Sequence, residues 1–202
     1  MFFRKFFRKP DTASDDTKLA PHPEPDIRRY FYNAKSLQCY TSWFSYWDGW
    51  ISAGHCVSEI GGHTPPFANG HIETWPDGLD AALIGCDLPV KRPPDPSVGQ
   101  DIAMIGYPAG SQSPEVRIAK VYMERIPGQW IAHIFEPDEP VVTGMSGGPV
   151  IDLKTGLPIG IIITRNSPAD LDNDNYPDES ADFIALSSVW DALNETARAP
   201  LV

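Results

Sequence analysis

A serine surrounded by glycines is the part of this sequence best suited to covalent chemistry. The stretch Thr143–Val150 reads Thr-Gly-Met-Ser-Gly-Gly-Pro-Val and centres on Ser146. Glycine adopts backbone angles that are closed to other residues and leaves no side chain to block a ligand. A serine that attacks a carbonyl carbon needs this access, and it needs backbone N–H groups aimed at the developing oxyanion. The alternative is a glycine-rich turn with an incidental serine.

Two upstream segments supply the groups that such a serine would need. Ile51–Val57 contains His55, and Gly78–Ile84 contains Asp80, each among small and apolar residues. A serine hydroxyl is a weak nucleophile and requires a neighbouring base, which a histidine can provide. A carboxylate beside that histidine holds the correct tautomer and stabilises the imidazolium ion. The pattern therefore predicts His55, Asp80 and Ser146 as catalytic residues.

Other acidic residues and histidines were weighed for the same roles. Asp77 and Asp87 lie close to the candidate aspartate, but neither precedes the apolar Ala-Ala-Leu-Ile run. His22, His63 and His71 lie among proline, glycine and asparagine, which is typical of solvated loops. They are interpreted as loop residues without a chemical role.

The three segments, in the order His, Asp, Ser, resemble the signatures of chymotrypsin/trypsin-like serine peptidases of the short bacterial or viral type. Triads on other folds run in a different order. The resemblance extends from about Leu37 to about Asn194. It implies an all-β fold of two antiparallel Greek-key β-barrels with a C-terminal helix. The expected domains are a tail and linker at 1–26, a first barrel at 27–95, and a second barrel with the helix at 96–202.

The resemblance also implies an activity, namely hydrolysis of peptide bonds through an acyl-enzyme. The N–H groups of Gly144 and Ser146 would form the oxyanion hole. Met145 stands where zymogen-activated members carry an aspartate, and no Ile-Val-Gly-Gly start is present. We therefore expect a serine endopeptidase that needs no zymogen-type activation. The alternatives are a catalytically inactive peptide-binding relative and a membrane-docked accessory module.

Substrate specificity is indicated less directly. Pro140 occupies the position, six residues before the serine, where trypsin-like members carry an aspartate that selects basic side chains. This favours an uncharged side chain before the cut, although Glu139 is adjacent and a shift of one residue would change the inference. The resemblance implies that the substrate-binding residues are Pro140, Ile162, Ile163 and Thr164.

The cysteines leave the compartment open. The chain has three, and the resemblance implies a disulfide between Cys39 and Cys56. The alternative is a pair of reduced, buried cysteines in a cytosolic protein. Cys86 has no evident partner and is interpreted as a small buried hydrophobe. A disulfide favours secretion or the periplasm, whereas the lack of a signal peptide favours the cytoplasm.

Composition excludes several classes of function. The net charge is −11, so a nucleic-acid partner is not expected, since duplex binding requires a basic face. The sequence contains no run of about 20 apolar residues, so a membrane-spanning helix is not expected. The 202 residues include 21 prolines, which favours short strands and many turns over long helices. We expect a monomer with a polypeptide substrate and no cofactor.

Two charged segments carry further expectations. Residues 1–9 pair phenylalanines with basic residues, and as a helix they would present one apolar and one basic face to an anionic membrane. The alternative is a disordered tail, which residues 10–26 continue as a linker.

The acidic residues with the spacing of a calcium loop are Asp170, Asp172, Asp174 and Asp178. Asn175 and Ala181 replace the glycine and the bidentate glutamate of an EF-hand, which favours a solvated acidic loop without metal. The alternative is a calcium-binding loop.

Local patterns predict several elements around the candidate site. The aromatic run Leu37–Tyr46 is typical of a strand, and Asp48-Gly49 is a hairpin-turn signal. Ser188 is predicted to cap the C-terminal helix, with Asp191 three residues on.

Overall fold

Two β-structures joined by an extended segment make up the described chain. The computed structural model describes residues 31–35, 40–59, 72–74, 79–87, 89, 91–135, 140–166 and 180–198. Several expectations fall outside these ranges, on the tail and linker 1–26, Cys39, and the acidic loop with Asp170, Asp172, Asp174 and Asp178. Within the described ranges, no helix has the length and apolarity needed to cross a membrane.

An antiparallel sheet forms the first half and leads into a short helix. Its strands are β1 (Phe31–Lys35), β2 (Tyr40–Tyr46), β3 (Gly49–Ser52), β4 (Ile72–Thr74) and β5 (Ala82–Ile84), with α1 (Gly54–Glu59) after β3. They are ordered β1-β2-β3-β5-β4. Aromatic and β-branched residues dominate β2 and β3, as the pleated surface of a strand favours. In the part of the chain that the structure describes, this half is an open sheet.

The turn between β2 and β3 lies one residue earlier than the sequence signal predicts. Trp47 and Asp48 are the central residues, with φ angles of 52° and 57°. Positive φ at both positions is the geometry of a type I′ hairpin turn. Gly49 already pairs with Tyr46 in the ladder. A glycine is required at position 49 for its small size and not for the turn, because a Cβ there would lie 2.5 Å from the carbonyl oxygen of Ile84.

A closed barrel forms the second half. Its strands are β6 (Asp101–Gly106), β7 (Glu115–Ile126), β8 (Gln129–Ile134), β9 (Pro149–Asp152), β10 (Pro158–Asn166) and β11 (Ser180–Ala185). The order is β10-β11-β8-β7-β6-β9, and antiparallel pairing of β9 with β10 closes the barrel. Alternate residues such as Ala119 and Val121 point into the apolar core.

A shared apolar cluster joins the two halves. Phe44 and Ile51 of the first sheet pack in one cluster with Ile161 and Ile184 of the barrel. Each of these side chains is almost fully buried. Burial of one such side chain stabilises a fold by about 1.5–3 kcal/mol. The residues proposed to carry the chemistry lie at the edges of this cluster.

The C-terminal helix, α2 (Leu186–Arg198), follows β11 without a loop. The sequence pattern predicted the N-cap at Ser188, but the helix begins at Leu186 with Ala185 before it, so the predicted cap is three residues too late. The chain enters the helix directly from Ala185, whose N–H still donates to the carbonyl of Gly128. Leu186 and Val189 anchor the helix in the shared apolar cluster, so burial rather than a capping hydroxyl sets where it begins.

Candidate active site

His55 is bound to Asp80 at two atoms. The backbone N–H of His55 donates to Oδ1 of Asp80 at 2.6 Å. The ring atom Nδ1 lies 2.5 Å from Oδ2 of the same carboxylate. A carboxylate only accepts hydrogen bonds, so Nδ1 carries the proton and Nε2 is the atom that remains for chemistry. The structure brings together these two predicted residues in the geometry of a base and its orienting acid.

This environment favours the charged imidazole. The hydrogen bond that His55 donates to Asp80, followed by the contact with Cys56, raises the pKa of His55 to about 10, while burial opposes the change. The His55 and Asp80 side chains are 35% and 30% exposed, so solvent still reaches the pair. His55 and Asp80 therefore form a charge-stabilising pair that solvent can reach.

Cys56 is a free thiol and does not form the disulfide inferred from the resemblance. The residue is buried, and its Sγ lies 3.3 Å from Nε2 of His55. The predicted partner, Cys39, lies outside the described residues. The sulfur of Cys56 instead contacts the imidazole atom that the proposed reaction would use. Cys86 is half-buried, and its Sγ lies 3.5 Å from the carbonyl oxygen of Trp50.

Ser146 lies in the loop between Val142 and Pro149, and its hydroxyl donates to the carbonyl oxygen of Ile163 at 3.2 Å. Within the described chain, Ser146 and His55 form no hydrogen bond with each other. A shift of register between β10 and β11 leaves Ile163 out of the strand pairing, so its carbonyl is an available acceptor. The Ile163 side chain packs in the same apolar cluster as Cys56. This shared packing brings the serine loop to the side of the sheet that carries the histidine.

Hydrogen bonds to two carbonyls fix the orientation of the peptide planes that precede Gly144 and Ser146. The carbonyl of Thr143 accepts the N–H of Ala109 at 2.7 Å, and the carbonyl of Met145 accepts the N–H of Gly148 at 3.0 Å. In a trans peptide the N–H points opposite to the C=O. The N–H groups of Gly144 and Ser146 therefore point away from these contacts.

Gly144 must be glycine for this arrangement. Its φ is 96°, a region that side chains disfavour. A Cβ at this position would lie 2.5 Å from the carbonyl oxygen of Tyr107 and 2.7 Å from the N atom of Ala109. The glycine thus permits both the close approach of the 107–109 turn and the backbone angle that it requires.

The residues predicted to bind substrate have different surroundings. Pro140 is half-buried, and its carbonyl accepts Nε of Arg117 at 2.9 Å. Ile162 lies in the barrel core, and its backbone groups bond to Gly147 and Gly148. Its side chain therefore supports the serine loop from inside. Ile163 is buried beside Ser146, whereas Thr164 is exposed and pairs with β11.

Sequence reasoning missed several polar residues that contact the serine loop. Thr41, Ser42 and Ser52 are fully buried in the first sheet. Serine and threonine also occur in ordinary strands, so the sequence did not indicate that these three residues contact the serine loop. Arg117, which holds Pro140, was also missed, because an arginine on a strand normally faces solvent. Among the residues that the structure describes, no cluster of potential ligands could hold a metal ion.

Comparisons with known proteins identify the fold. No family model matches the sequence, and no curated protein matches it either. The Rv3671c protease of M. tuberculosis, in its inactive form, is similar with a TM-score of 0.55 and 19% identity, covering 84% of this chain and 89% of that one. A serine endoprotease from Yersinia pestis is similar with a TM-score of 0.59 and 14% identity, covering 86% and 65%.

A third similar structure is the human heparin binding protein, with a TM-score of 0.60 and 12% identity, covering 85% of this chain and 92% of that one. At these identities the likeness is one of fold, and the chain has the chymotrypsin-like serine peptidase fold that its motifs indicated. Named proteases and a protein named for heparin binding share this architecture. The fold alone therefore does not decide between catalysis and binding.

Proposed function

We propose that this chain is a serine endopeptidase that cleaves polypeptides with Ser146 as nucleophile, His55 as general base and Asp80 as the orienting acid. The observation that carries the proposal is the two-point attachment of His55 to Asp80. This attachment fixes the tautomer and the orientation of the ring, and it leaves Nε2 as the reacting atom. A purely structural histidine would not need both contacts to one carboxylate.

The reaction would begin with attack of Ser146 Oγ on the carbonyl carbon of the scissile peptide. Nε2 of His55 takes the hydroxyl proton as the Oγ–C bond forms, and then gives it to the departing amine as the C–N bond breaks. A water molecule, activated in turn by Nε2, hydrolyses the acyl-enzyme and returns the serine hydroxyl. Asp80 stabilises the imidazolium ion that forms in both halves of the cycle.

A local rearrangement would precede attack. The Ser146 hydroxyl contacts Ile163, and Nε2 contacts Cys56. Rotation of the Ser146 side chain about its Cα–Cβ bond would break the hydrogen bond of the hydroxyl with the Ile163 carbonyl. The hydroxyl could then donate to the imidazole instead. Side-chain rotations of this kind are fast compared with typical turnover.

The developing oxyanion would be bound by the N–H groups of Gly144 and Ser146. Neither group donates to an acceptor within the described chain, and the carbonyls on the other side of their peptides are already occupied. Loss of one such donor typically costs about 3–4 kcal/mol in barrier height. Preorganisation of this kind supports a catalytic role more than a binding role, because a ground-state ligand does not need it.

Zymogen-type activation is not expected of this enzyme. Met145, the residue before the serine, is fully buried in the apolar core of the barrel. A carboxylate waiting for a new N-terminal ammonium would be costly in this environment. The apolar side chain supports a serine loop whose conformation is set by folding alone.

The substrate side chain before the cut is expected to be uncharged. Pro140 offers no charge, and its neighbour Val141 is buried with Phe183 in the same apolar cluster. The guanidinium of Arg117, which bonds to the carbonyl of Pro140, is paired with the carboxylate of Glu115. These contacts disfavour both an acidic and a basic substrate side chain.

A peptide-binding module without catalysis is the second candidate. The contacts of Ser146 with Ile163 and of Nε2 with Cys56 favour it, because each reacting atom has another partner. In that case the cleft would bind an extended peptide, and loss of the serine hydroxyl would not affect binding.

Digestion of a mixed peptide library by the full chain, followed by mass spectrometry, separates the two candidates. The wild type should generate new termini with uncharged residues before the cut. Ser146→Ala should generate none while melting at a similar temperature. Equal, undetectable cleavage by both proteins, with retained binding of library peptides, would favour the binding module and contradict the peptidase.

A further inference from the structure

Three buried hydroxyls of the first sheet contact the serine loop of the barrel. Thr41, Ser42 and Ser52 are each 0% exposed. A buried hydroxyl is costly unless it is hydrogen-bonded, and alanine would occupy each position without that cost. Their contacts therefore indicate what these residues do.

Ser42 makes the contacts that matter most. Its hydroxyl donates to the carbonyl of Gly144 at 2.8 Å and accepts the N–H of Tyr107 at 2.8 Å. Its backbone N–H donates to the carbonyl of Ser146 at 2.8 Å. Its own carbonyl accepts the hydroxyl of Ser52 at 2.8 Å. Every polar atom of this residue is thus engaged, and two of its partners are the proposed oxyanion-hole residues.

The contacts of Ser42 determine the orientation of Gly144. Its hydroxyl fixes the carbonyl of the peptide that follows Gly144, while Ala109 fixes the carbonyl of the peptide that precedes it. Because each peptide is planar, both planes that meet at the Gly144 Cα atom are then held. Tyr107 and Ala109 belong to one turn, so the Ser42 hydroxyl also ties that turn to the serine loop.

Thr41 and Ser52 support the same arrangement. The Thr41 hydroxyl donates to the carbonyl of Ser146 at 3.0 Å, and Ser52 holds the carbonyl of Ser42. A Cβ at Gly147 would lie 2.1 Å from Ser52 Oγ and 2.2 Å from the carbonyl oxygen of Ser42. The sheet and the loop are therefore in direct contact along this line, with no space for a water molecule between them.

We infer that Ser42 is a positioning residue, whose hydroxyl aligns the Gly144 N–H with the oxyanion that forms during attack by Ser146. The inference rests on the proposed peptidase function. Ser42 touches no reacting atom and acts through the Gly144 carbonyl. Its removal should therefore weaken transition-state stabilisation more than substrate binding.

Ser42→Ala in the full chain tests the role. Displacement of an oxyanion donor without its deletion should lower kcat on a cleaved peptide by about 10- to 100-fold. KM should stay within about twofold, because the substrate contacts remain. The rate of reaction with a fluorophosphonate probe, followed by intact mass, should fall by the same factor as kcat.

A control variant that also loses a hydroxyl contact, but away from the site, separates positioning from loss of structure. Thr155→Ala also removes a hydroxyl contact, that of Thr155 Oγ1 with Asp152 Oδ2 at 2.6 Å, in the turn that follows β9. We expect it to lower the melting temperature and leave kcat unchanged. If Ser42→Ala does not fold, Ser42→Cys keeps a weaker donor in the same place and should give an intermediate probe rate.

The outcomes are distinct. A reactive wild type together with a slow Ser42 variant and a normal Thr155 variant supports the inference. A reactive wild type whose probe rate matches that of the folded Ser42 variant would overturn the positioning role and leave the peptidase standing. A folded wild type that reacts with neither probe nor peptide would overturn the proposed function and the catalytic use of Ser42 with it.

Discussion

Asp80 holds His55 at both its backbone and its ring, accepting the backbone N–H at 2.6 Å and contacting Nδ1 at 2.5 Å. The two contacts use the two oxygens of one carboxylate. The backbone contact fixes where α1 starts relative to β5, and the ring contact fixes the tautomer, which places the proton on Nδ1 and leaves Nε2 against Cys56. Local folding and the proposed chemistry therefore depend on the same side chain.

Asp80→Asn should abolish the proposed peptidase activity with little change of shape. The amide nitrogen would donate to Nδ1 and force the proton onto Nε2, which could then no longer accept the serine proton. A change of this kind lowers kcat by about 10⁴-fold in a serine peptidase triad. Peptide turnover measures the effect, and Asp87→Asn, at an exposed carboxylate nearby, is the control. Equal loss in both variants would contradict the role assigned to Asp80.

The pH dependence should reflect the raised pKa of His55. The hydrogen bond that the imidazole donates to Asp80 is the main cause of the increase in this pKa to about 10. The base must be neutral to act, so the rate of probe labelling should rise with pH, with an apparent pKa above the ordinary 6.5 of histidine. Asp80→Asn should move this apparent pKa towards 6.5. A wild-type value at or below 6.5 would contradict the assignment.

The same shift predicts how stability depends on pH. Because the folded-state pKa of His55 is raised, its contribution is fully present below about 6.5, the unfolded value, and is lost as the pH rises through about 10. Denaturant titrations at pH 6 and pH 10 measure this loss. Asp80→Asn should reduce the difference between the two pH values, and an unchanged difference would point to other groups.

Gly147 and Gly156 form a matched pair for testing the contact between sheet and serine loop. Both have positive φ, at 86° and 73°. A Cβ would meet Ser52 and Ser42 at Gly147, whereas nothing lies within 4 Å at Gly156. Gly156→Ala should cost about 1–2 kcal/mol from backbone strain, and Gly147→Ala about 3–5 kcal/mol from strain and overpacking together. Chemical denaturation measures both, and equal losses would show that the contact does not constrain the loop.

The segment between the two β-structures is attached to the C-terminal helix through Arg92. Its guanidinium donates to both carboxylate oxygens of Asp191 at 2.8 Å and also binds Asp95. These groups are partly exposed, so Arg92→Ala should lower the free energy of unfolding by about 0.5–1 kcal/mol without changing kcat. Lys91→Ala, at an exposed neighbour, is the control. A large loss of activity would indicate that the segment also orders the site.

The short segments around His55, Asp80 and Ser146 could be found in the sequence because their chemistry depends on local pattern. Glycines beside a serine and small residues beside a histidine are needed wherever the backbone approaches closely. The β-barrel architecture was implied by the resemblance of these segments to chymotrypsin-like peptidases. The proline- and glycine-rich composition indicated only many short strands and turns.

Contacts between distant segments could not be predicted in the same way. Ser42 lies 102 residues before Gly144, and no periodicity links a strand hydroxyl to a loop carbonyl. The contact of Cys56 with Nε2 replaced the expected disulfide because it depends on side-chain packing around α1. The start of α2 at Leu186 was missed because tertiary burial overrode the capping signal at Ser188.

Intact-mass analysis after reaction with a fluorophosphonate probe tests the central claim most directly. The reagent phosphonylates a serine only when base and oxyanion donors act together, so it reports the assembled site and not the fold. We predict one adduct on the wild type and none on Ser146→Ala, with both proteins folded. Absence of an adduct on folded wild type above pH 9, or an adduct of equal yield on Ser146→Ala, would contradict the account.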